Sequence, residues 1–128
     1  MIAILLGSHG NFAKEALASA QMIAGEQANV ATFSLQEEMD LTMTITAAQE
    51  AFNALDDTAG VLILTDIMGG TPANVGAVLH KKNTNTRLLT GFNLPTLIEA
   101  LLSRATMDLE ELTAHLKDQF PATMSDLT

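Results

Sequence analysis

The chain has 128 residues, of which 48% are apolar and none is cysteine. This length and apolar content predict one folded domain over residues 1–128, and the absence of cysteine excludes disulfides, zinc–thiolate sites and thiol chemistry. A count of 15 acidic residues against 6 Lys and Arg gives a formal net charge of −9, which argues against binding to nucleic acids or to anionic membrane surfaces.

The amino-terminal segment predicts a strand, a short loop and a helix. Ile2–Leu6 is an apolar run typical of a buried strand. It lacks the basic segment of a signal peptide and the ~20 apolar residues of a membrane span, so we expect a cytoplasmic protein. The helix covers Phe12–Ile23 and ends before Gly25, and its periodicity predicts an inward stripe of Phe12, Ala16, Ala20 and Ile23.

Three further apolar runs predict buried strands, and helical patterns follow each of them. The strands are Val30–Phe33, Val61–Leu64 and Arg87–Thr90. Asp40 is suited to cap a helix that runs through Leu55. Its inward face is predicted to hold Leu41, Ile45, Ala48, Phe52 and Leu55.

The carboxyl-terminal half contains signals for three more helices. Pro72 suits the first turn of a helix that runs to about His80, and Pro95 that of a helix through about Arg104. Asp108 is suited to cap a fifth helix over Leu109–Lys117.

Strands that alternate with helices predict an α/β fold. We expect a flavodoxin-like open sheet of about four parallel strands in the order 2-1-3-4, with helices on both faces. The tail, Gln119–Thr128, contains Pro121, which stops a helix. This tail is either a short extra edge strand or a disordered end.

Two unusual segments should meet at one edge of this sheet. Ligands bind beyond the carboxyl ends of parallel strands, at the point where strand order reverses, and here that point lies between strands one and three. The loop after Leu6 begins Gly7-Ser8-His9-Gly10, and the loop after Leu64 reads Thr65-Asp66-Ile67-Met68-Gly69-Gly70-Thr71-Pro72. The sequence therefore predicts a functional site formed by these two loops.

His9 and Asp66 are the residues in these loops that are best suited to chemistry. An exposed imidazole before a helix can be a nucleophile, a general base or a metal ligand, or it can have no role. Asp66 could accept a hydrogen bond from one ring nitrogen and fix the tautomer, as an aspartate does in hydrolase triads. The alternative for Asp66 is a helix-capping or turn residue.

The same loops could hold an anion. Backbone N–H groups near Gly10 and Gly70, with the hydroxyl and N–H of Thr71, suit an anion at the start of the third helix. The alternative is a plain turn with a capping threonine. Ile67 and Met68 either fold back into the core or form a contact patch for a docking protein.

No metal site or cofactor is expected. His80 and His115 lie in or near helices, without ligand spacing to His9, and we interpret both as surface histidines.

Taken together, three motifs resemble the EIIA domain of the mannose/fructose/sorbose (N-acetylgalactosamine) family of the bacterial phosphoenolpyruvate:sugar phosphotransferase system. The motifs are Ser8-His9-Gly10, Asp66-x-x-Gly69-Gly70-x-Pro72 and Gly91-x-Asn93-x-Pro95. The likeness covers essentially the whole chain.

The resemblance implies a phosphohistidine carrier. His9 would be phosphorylated by phospho-HPr, Asp66 would orient it, Thr71 would contact the phosphoryl group, and a histidine of EIIB would accept it for the membrane subunits EIIC and EIID. The resemblance also implies a homodimer in which a C-terminal strand joins the partner's sheet. Many members continue into a fused EIIB domain, so here EIIB is either a separate protein or, if the chain is an excised domain, part of the same one.

Three other functions stay open at this point. The phosphotransfer subunit of a phosphoenolpyruvate-dependent dihydroxyacetone kinase would share the fold and the histidine. A non-covalent anion-binding module would use the same cleft without covalent chemistry. A hydrolase would use His9 and Asp66 as its base, but Ser8 lacks the setting of a nucleophile elbow.

Overall fold

Parallel strands and helices alternate along the chain, and the computed structural model describes all residues 1–128. The strands are β1 (Ala3–His9), β2 (Val30–Leu35), β3 (Val61–Thr65) and β4 (Thr86–Thr90). The helices are α1 (Phe12–Ala24), α2 (Leu41–Asn53), α3 (Thr71–Lys82), α4 (Leu94–Ser103) and α5 (Leu109–Gln119), followed by a short 3-10 helix over Phe120–Thr123. None of the helices has both the length and the apolar character needed to cross a membrane.

The strands form one parallel sheet in the order β2-β1-β3-β4, which confirms the predicted flavodoxin-like fold. β1 pairs with both β2 and β3, so strand order reverses beside it. Gly7 pairs with Thr65, the last residue of β3. The chain therefore leaves β3 beside the end of β1, where the sequence places the candidate site.

The core consists of two apolar layers, one on each face of the sheet. Side chains alternate between the faces of a strand; accordingly, Ile4 and Leu6 of β1 pack with α1, α4 and α5, whereas Ala3 and Leu5 pack with α2 and α3. These side chains are completely buried. Burying one Leu or Ile contributes about 1.5–3 kcal/mol, so a shift in the register of β1 would cost several such contributions.

The buried faces of α1 and α2 differ from the predicted ones. In α1 the inward stripe contains Ala13 and Ala20, whereas Phe12 is 50% exposed and Ile23 66% exposed, so the prediction was wrong for both. Phe12 is one residue before Ala13 and therefore lies about 100° around the helix axis from the buried stripe. Ile23 lies in the last turn of α1. In α2 the first residue, Leu41, is also exposed, and the buried residues are Thr44, Ala48 and Phe52.

Most predicted helix starts are confirmed. The side chain of Asp40 accepts a hydrogen bond from the Met43 N–H at 2.8 Å, and Asp108 forms a capping box with Glu111. Prolines occupy the first turns of α3 and α4. Helix ends agree less closely: α2 ends at Asn53 rather than Leu55, and α3 continues to Lys82.

The tail starts with a 3-10 helix, which neither predicted alternative describes. Phe120–Thr123 continues directly from α5, and the Thr123 hydroxyl accepts a hydrogen bond from Asn93 Nδ2 at 2.7 Å. Pro121 has no N–H for a sheet ladder and its φ is fixed, so a tight turn suits it better than a strand. The sheet of this chain accordingly has four strands and no fifth edge strand.

Arg104 joins the amino ends of the strands to α4. The residue is 1% exposed, and its guanidinium donates hydrogen bonds to the backbone carbonyls of Ile2, Ala28 and Asn29 and to the side chain of Gln27. Burial lowers the pKa of this guanidinium. The planar guanidinium, with its five N–H donors, thus bonds carbonyls of two separate segments, one before β1 and one before β2.

We predict that Arg104→Met lowers the free energy of unfolding by about 3 kcal/mol, because it leaves the buried carbonyl of Ile2 and the partly buried carbonyl of Ala28 without their donor. Arg104→Lys keeps a charge but not the planar guanidinium, and we expect it to recover less than half of the loss. Urea denaturation of the three proteins measures both differences. An Arg104→Met chain as stable as the parent would show that Arg104 does not hold these segments together.

Candidate functional site

His9 is the last residue of β1, which continues three residues further than predicted. The extension is possible because Gly7 has no side chain: the Phe33 ring lies where a Cβ at Gly7 would be. His9 pairs with Leu35 of β2, so it belongs to the sheet rather than to a loop. Its side chain is still 47% exposed, beyond the end of the buried strand.

Asp66 follows β3 directly and contacts His9 through two hydrogen bonds. Its Oδ2 atom lies 2.7 Å from the ring Nδ1 of His9 and accepts the backbone N–H of His9 at 3.0 Å. An ionised carboxylate can only accept hydrogen bonds, so Nδ1 carries a proton, and in the neutral imidazole the lone pair is on Nε2. The structure therefore brings together the predicted pair and leaves Nε2 available as a nucleophile or base.

The surroundings of Asp66 keep it ionised. Burial of its carboxyl group acts to raise the pKa, but hydrogen bonds from the His9 backbone, the His9 ring and the Ile67 N–H together outweigh it. The pKa of Asp66 therefore lies below its ordinary value of 3.8. A fixed negative charge next to Nδ1 stabilises positive charge on the imidazole ring.

The start of α3 lies against the same ring. A Cβ at Gly70 would be 2.9 Å from His9 Cε1 and 3.3 Å from Ile67 Cγ1, so only glycine fits there without a shift. Helix α3 begins at Thr71, and its N-cap residue, Gly70, has no side chain that could bond the first N–H groups. The Thr71 and Ala73 N–H groups have no partner within the helix. Donors at a helix start next to an imidazole can hold an anion bound to that ring.

The backbone N–H of Gly10 is not one of these donors. We expected it to be available to an anion, but it donates to the Leu35 carbonyl at 2.8 Å. The β1–β2 ladder extends past the predicted strand end and takes up this group. Gly10 instead has a φ of +54°, which lets the chain turn from β1 into α1.

The sequence did not predict two sets of hydrogen bonds that support the site. The Ser8 hydroxyl is buried and accepts the Ala13 N–H at 2.7 Å, so it caps α1 from within β1. The loop after β4 holds the end of β3, since the N–H groups of Gly91 and Phe92 donate to the Thr65 carbonyl. The only feature of the sequence that indicates the Ser8–Ala13 hydrogen bond is a serine shortly before a predicted helix start.

The remaining candidate residues lie at the surface. Ile67 is 54% exposed and Met68 87% exposed, so neither folds back into the core. The ring of His80 contacts the Thr86 hydroxyl, and that of His115 contacts Glu99. The chain contains no group of three or more His, Cys, Asp and Glu side chains that could hold a metal ion.

An open cleft of about 560 Å³ adjoins His9 on the side of β2. It is lined by His9, Gly10, Leu35, Gln36, Glu37, Glu38 and Met39. The lining contains two carboxylates and no Lys or Arg, so the cleft has acidic character.

Known proteins resemble this chain in sequence and in structure. The EIIA-man family model, described as "PTS system fructose IIA component", matches residues 3–117. The sorbose-specific EIIA component of Lacticaseibacillus casei is 33% identical, with 96% of this chain and 91% of that protein covered.

Two further comparisons differ in how much of the other protein they cover. The mannose-specific EIIAB component of Escherichia coli (strain K12) is 34% identical over 80% of this chain, which spans only 32% of that protein. The crystal structure of EIIA from Streptococcus agalactiae superimposes with a TM-score of 0.88 at 32% identity, over 98% of this chain and 97% of that one.

We predict that Asp66→Asn destabilises the chain at neutral pH by about 1 kcal/mol, because an amide replaces a hydrogen-bonded carboxylate. Since folding lowers the pKa of Asp66, its ionised form stabilises the fold above pH ~4, and this contribution is lost as the pH falls through the lowered pKa. Denaturation of both proteins from pH 7 downward should show the difference shrinking with acid. A difference that grows as the pH falls would contradict this account.

Proposed function

This chain belongs to the mannose-type EIIA family of the phosphotransferase system, and we propose that it carries a phosphoryl group on Nε2 of His9. The family's components are phosphotransferases of sugar uptake systems. The observation that carries the proposal is the His9 ring itself: Asp66 holds Nδ1 at 2.7 Å, Nε2 faces away from that contact, and the start of α3 lies beside the ring.

The proposed reaction is transfer between two histidines. The Nε2 lone pair attacks the phosphorus of phospho-HPr, and the new N–P bond forms as the donor's N–P bond breaks. The bonding electrons leave with the donor imidazole. Asp66 stabilises the positive charge that the His9 ring acquires, while Nδ1 keeps its proton. The same steps in reverse deliver the group to a histidine of EIIB.

Groups at the start of α3 would offset the charge of the phosphoryl oxygens. The Thr71 N–H lacks a helical partner at the start of α3, whose N-cap Gly70 has no side chain to bond it, so this N–H and the Thr71 hydroxyl can both donate to those oxygens. Gly70 lets this backbone approach the ring closely. Gly10 contributes by its backbone conformation, since its N–H is engaged with β2. Such catalysis consists mainly of positioning and electrostatics.

The exposed side chains of Ile67 and Met68 support docking of a protein partner next to His9. Methionine adapts its shape to different surfaces, which suits a carrier that meets both a donor and an acceptor.

We propose that residues 1–128 form one such EIIA domain in the cytoplasm, that it assembles as a homodimer, and that its EIIB acceptor serves the membrane subunits EIIC and EIID.

We predict that phosphoenolpyruvate, enzyme I and HPr add one acid-labile phosphate to this chain and none to His9→Ala. His80→Ala should be labelled like the parent, because His80 is remote in the chain and contacts Thr86 instead. Intact mass before and after brief acid measures the label, and ¹⁵N NMR of the phosphoprotein should place it on Nε2.

A labelled His9→Ala chain would exclude the proposed nucleophile. No label in the parent would exclude transfer from HPr and favour a non-covalent anion-binding module in the same cleft. Label that passes to a nucleotide-bearing dihydroxyacetone kinase subunit, but not to EIIB, would favour the kinase subunit.

We predict that Thr71→Val slows phosphorylation roughly tenfold, because one hydrogen bond to the phosphoryl group is lost in the transition state. Thr71→Ser keeps the hydroxyl and should stay within about twofold of the parent. Single-turnover transfer from phospho-HPr measures both rates. Equal rates for the valine and serine variants would show that the hydroxyl has no part in transfer.

A further inference from the structure

The loop from Gln36 to Asp40 forms one wall of the cleft beside His9. This acidic loop carries Glu37 and Glu38, which are both exposed and both line the cleft. Neither carboxylate makes a salt bridge, and no Lys or Arg lines the cleft. The negative charge next to the proposed phosphoryl site is therefore not neutralised within this chain.

Hydrogen bonds fix both ends of the acidic loop. Gln36 Nε2 donates to Asn11 Oδ1 at 2.9 Å, which connects the loop to the start of α1. The Met39 N–H donates to the Gln36 carbonyl at 3.0 Å, and the Asp40 side chain caps α2. The two carboxylates are thus attached to a segment of defined shape at the rim of the cleft.

Apolar side chains complete the surface around His9. Met39 lines the same cleft, and Ile67 and Met68 are exposed on the segment that follows Asp66. A protein interface typically has an apolar centre with a polar rim, and complementary charge on the rim raises the association rate. This surface offers such a centre with a rim that is acidic on the β2 side.

Negative charge at this position affects small and large phosphoryl donors differently. A small phosphorylated metabolite or phosphoramidate is an anion and is repelled by the two carboxylates. A protein donor whose phosphohistidine is bordered by Lys or Arg is attracted by them, because its cations reach the rim while its phosphoryl group reaches Nε2. The acidic loop therefore favours the second kind of donor over the first.

We propose that Glu37 and Glu38 determine donor specificity: they recognise a basic surface on the phosphorylated protein partner and disfavour small anionic phosphoryl donors. The proposal rests on the function proposed above for His9. It assigns no bond-making step to the two glutamates, which act on the encounter between the proteins.

The test compares Glu37→Gln/Glu38→Gln with Glu26→Gln/Glu110→Gln. Both pairs remove two exposed negative charges, and the control pair lies near the amino ends of the strands, away from His9. The second-order rate constant of transfer from phospho-HPr is measured over a range of ionic strength. We expect roughly a tenfold decrease at low salt for the first pair only, with the difference vanishing at high salt.

Phosphoramidate serves as the small donor in the same experiment. We expect it to label His9 in the first pair at least as fast as in the parent chain. Equal rate constants and equal salt dependence for the two pairs, with normal labelling by phosphoramidate, would overturn the role of the acidic loop while leaving the carrier intact. Failure of every donor to label His9 in the parent would overturn the carrier, and this inference with it.

Discussion

One carboxylate oxygen, Oδ2 of Asp66, determines the geometry of the whole site. It accepts a hydrogen bond from the backbone of His9 and another from its ring, so the strand end and the side chain are fixed by the same atom. This arrangement requires β1 and β3 to be neighbours in parallel register, and therefore requires the two-layer core that holds them so. The fold matters to the site chiefly because it brings these two residues together across 57 positions of sequence.

The sequence was sufficient to predict the fold and the meeting of the two loops that form the candidate site. Four apolar runs separated by helical patterns predicted a parallel sheet with right-handed crossovers, and the strand order 2-1-3-4 is that of the flavodoxin-like fold. Capping residues such as Asp40 and Asp108 gave helix starts correctly, since a side chain that bonds the nearby backbone acts locally. The topology predicted that the loops of His9 and Asp66 meet, and the chemistry of the two side chains predicted that they pair.

Features that depend on contacts between distant residues were not predictable in this way. The last residues of β1 look like a loop in the sequence, but they pair with β2, and the Phe33 ring lies where a side chain at Gly7 would be. That extension in turn engages the Gly10 N–H. The exposure of Phe12 depends on how α1 is rotated on the sheet, and the turn in the tail depends on Asn93 reaching Thr123. None of these contacts corresponds to a periodic pattern of residues that could be recognised in the sequence.

The half-exposed ring of His9 limits how many partner proteins can bind at the site at one time. Under the proposed function, the donor and the acceptor must both reach Nε2 of His9, so they cannot occupy the site together and each must leave before the other enters. The chain then alternates between an unphosphorylated and a phosphorylated state. A large excess of either partner slows the cycle, because that partner also binds the state with which it cannot react. The fraction of phosphorylated chains then reports the balance between phosphoryl supply and sugar demand.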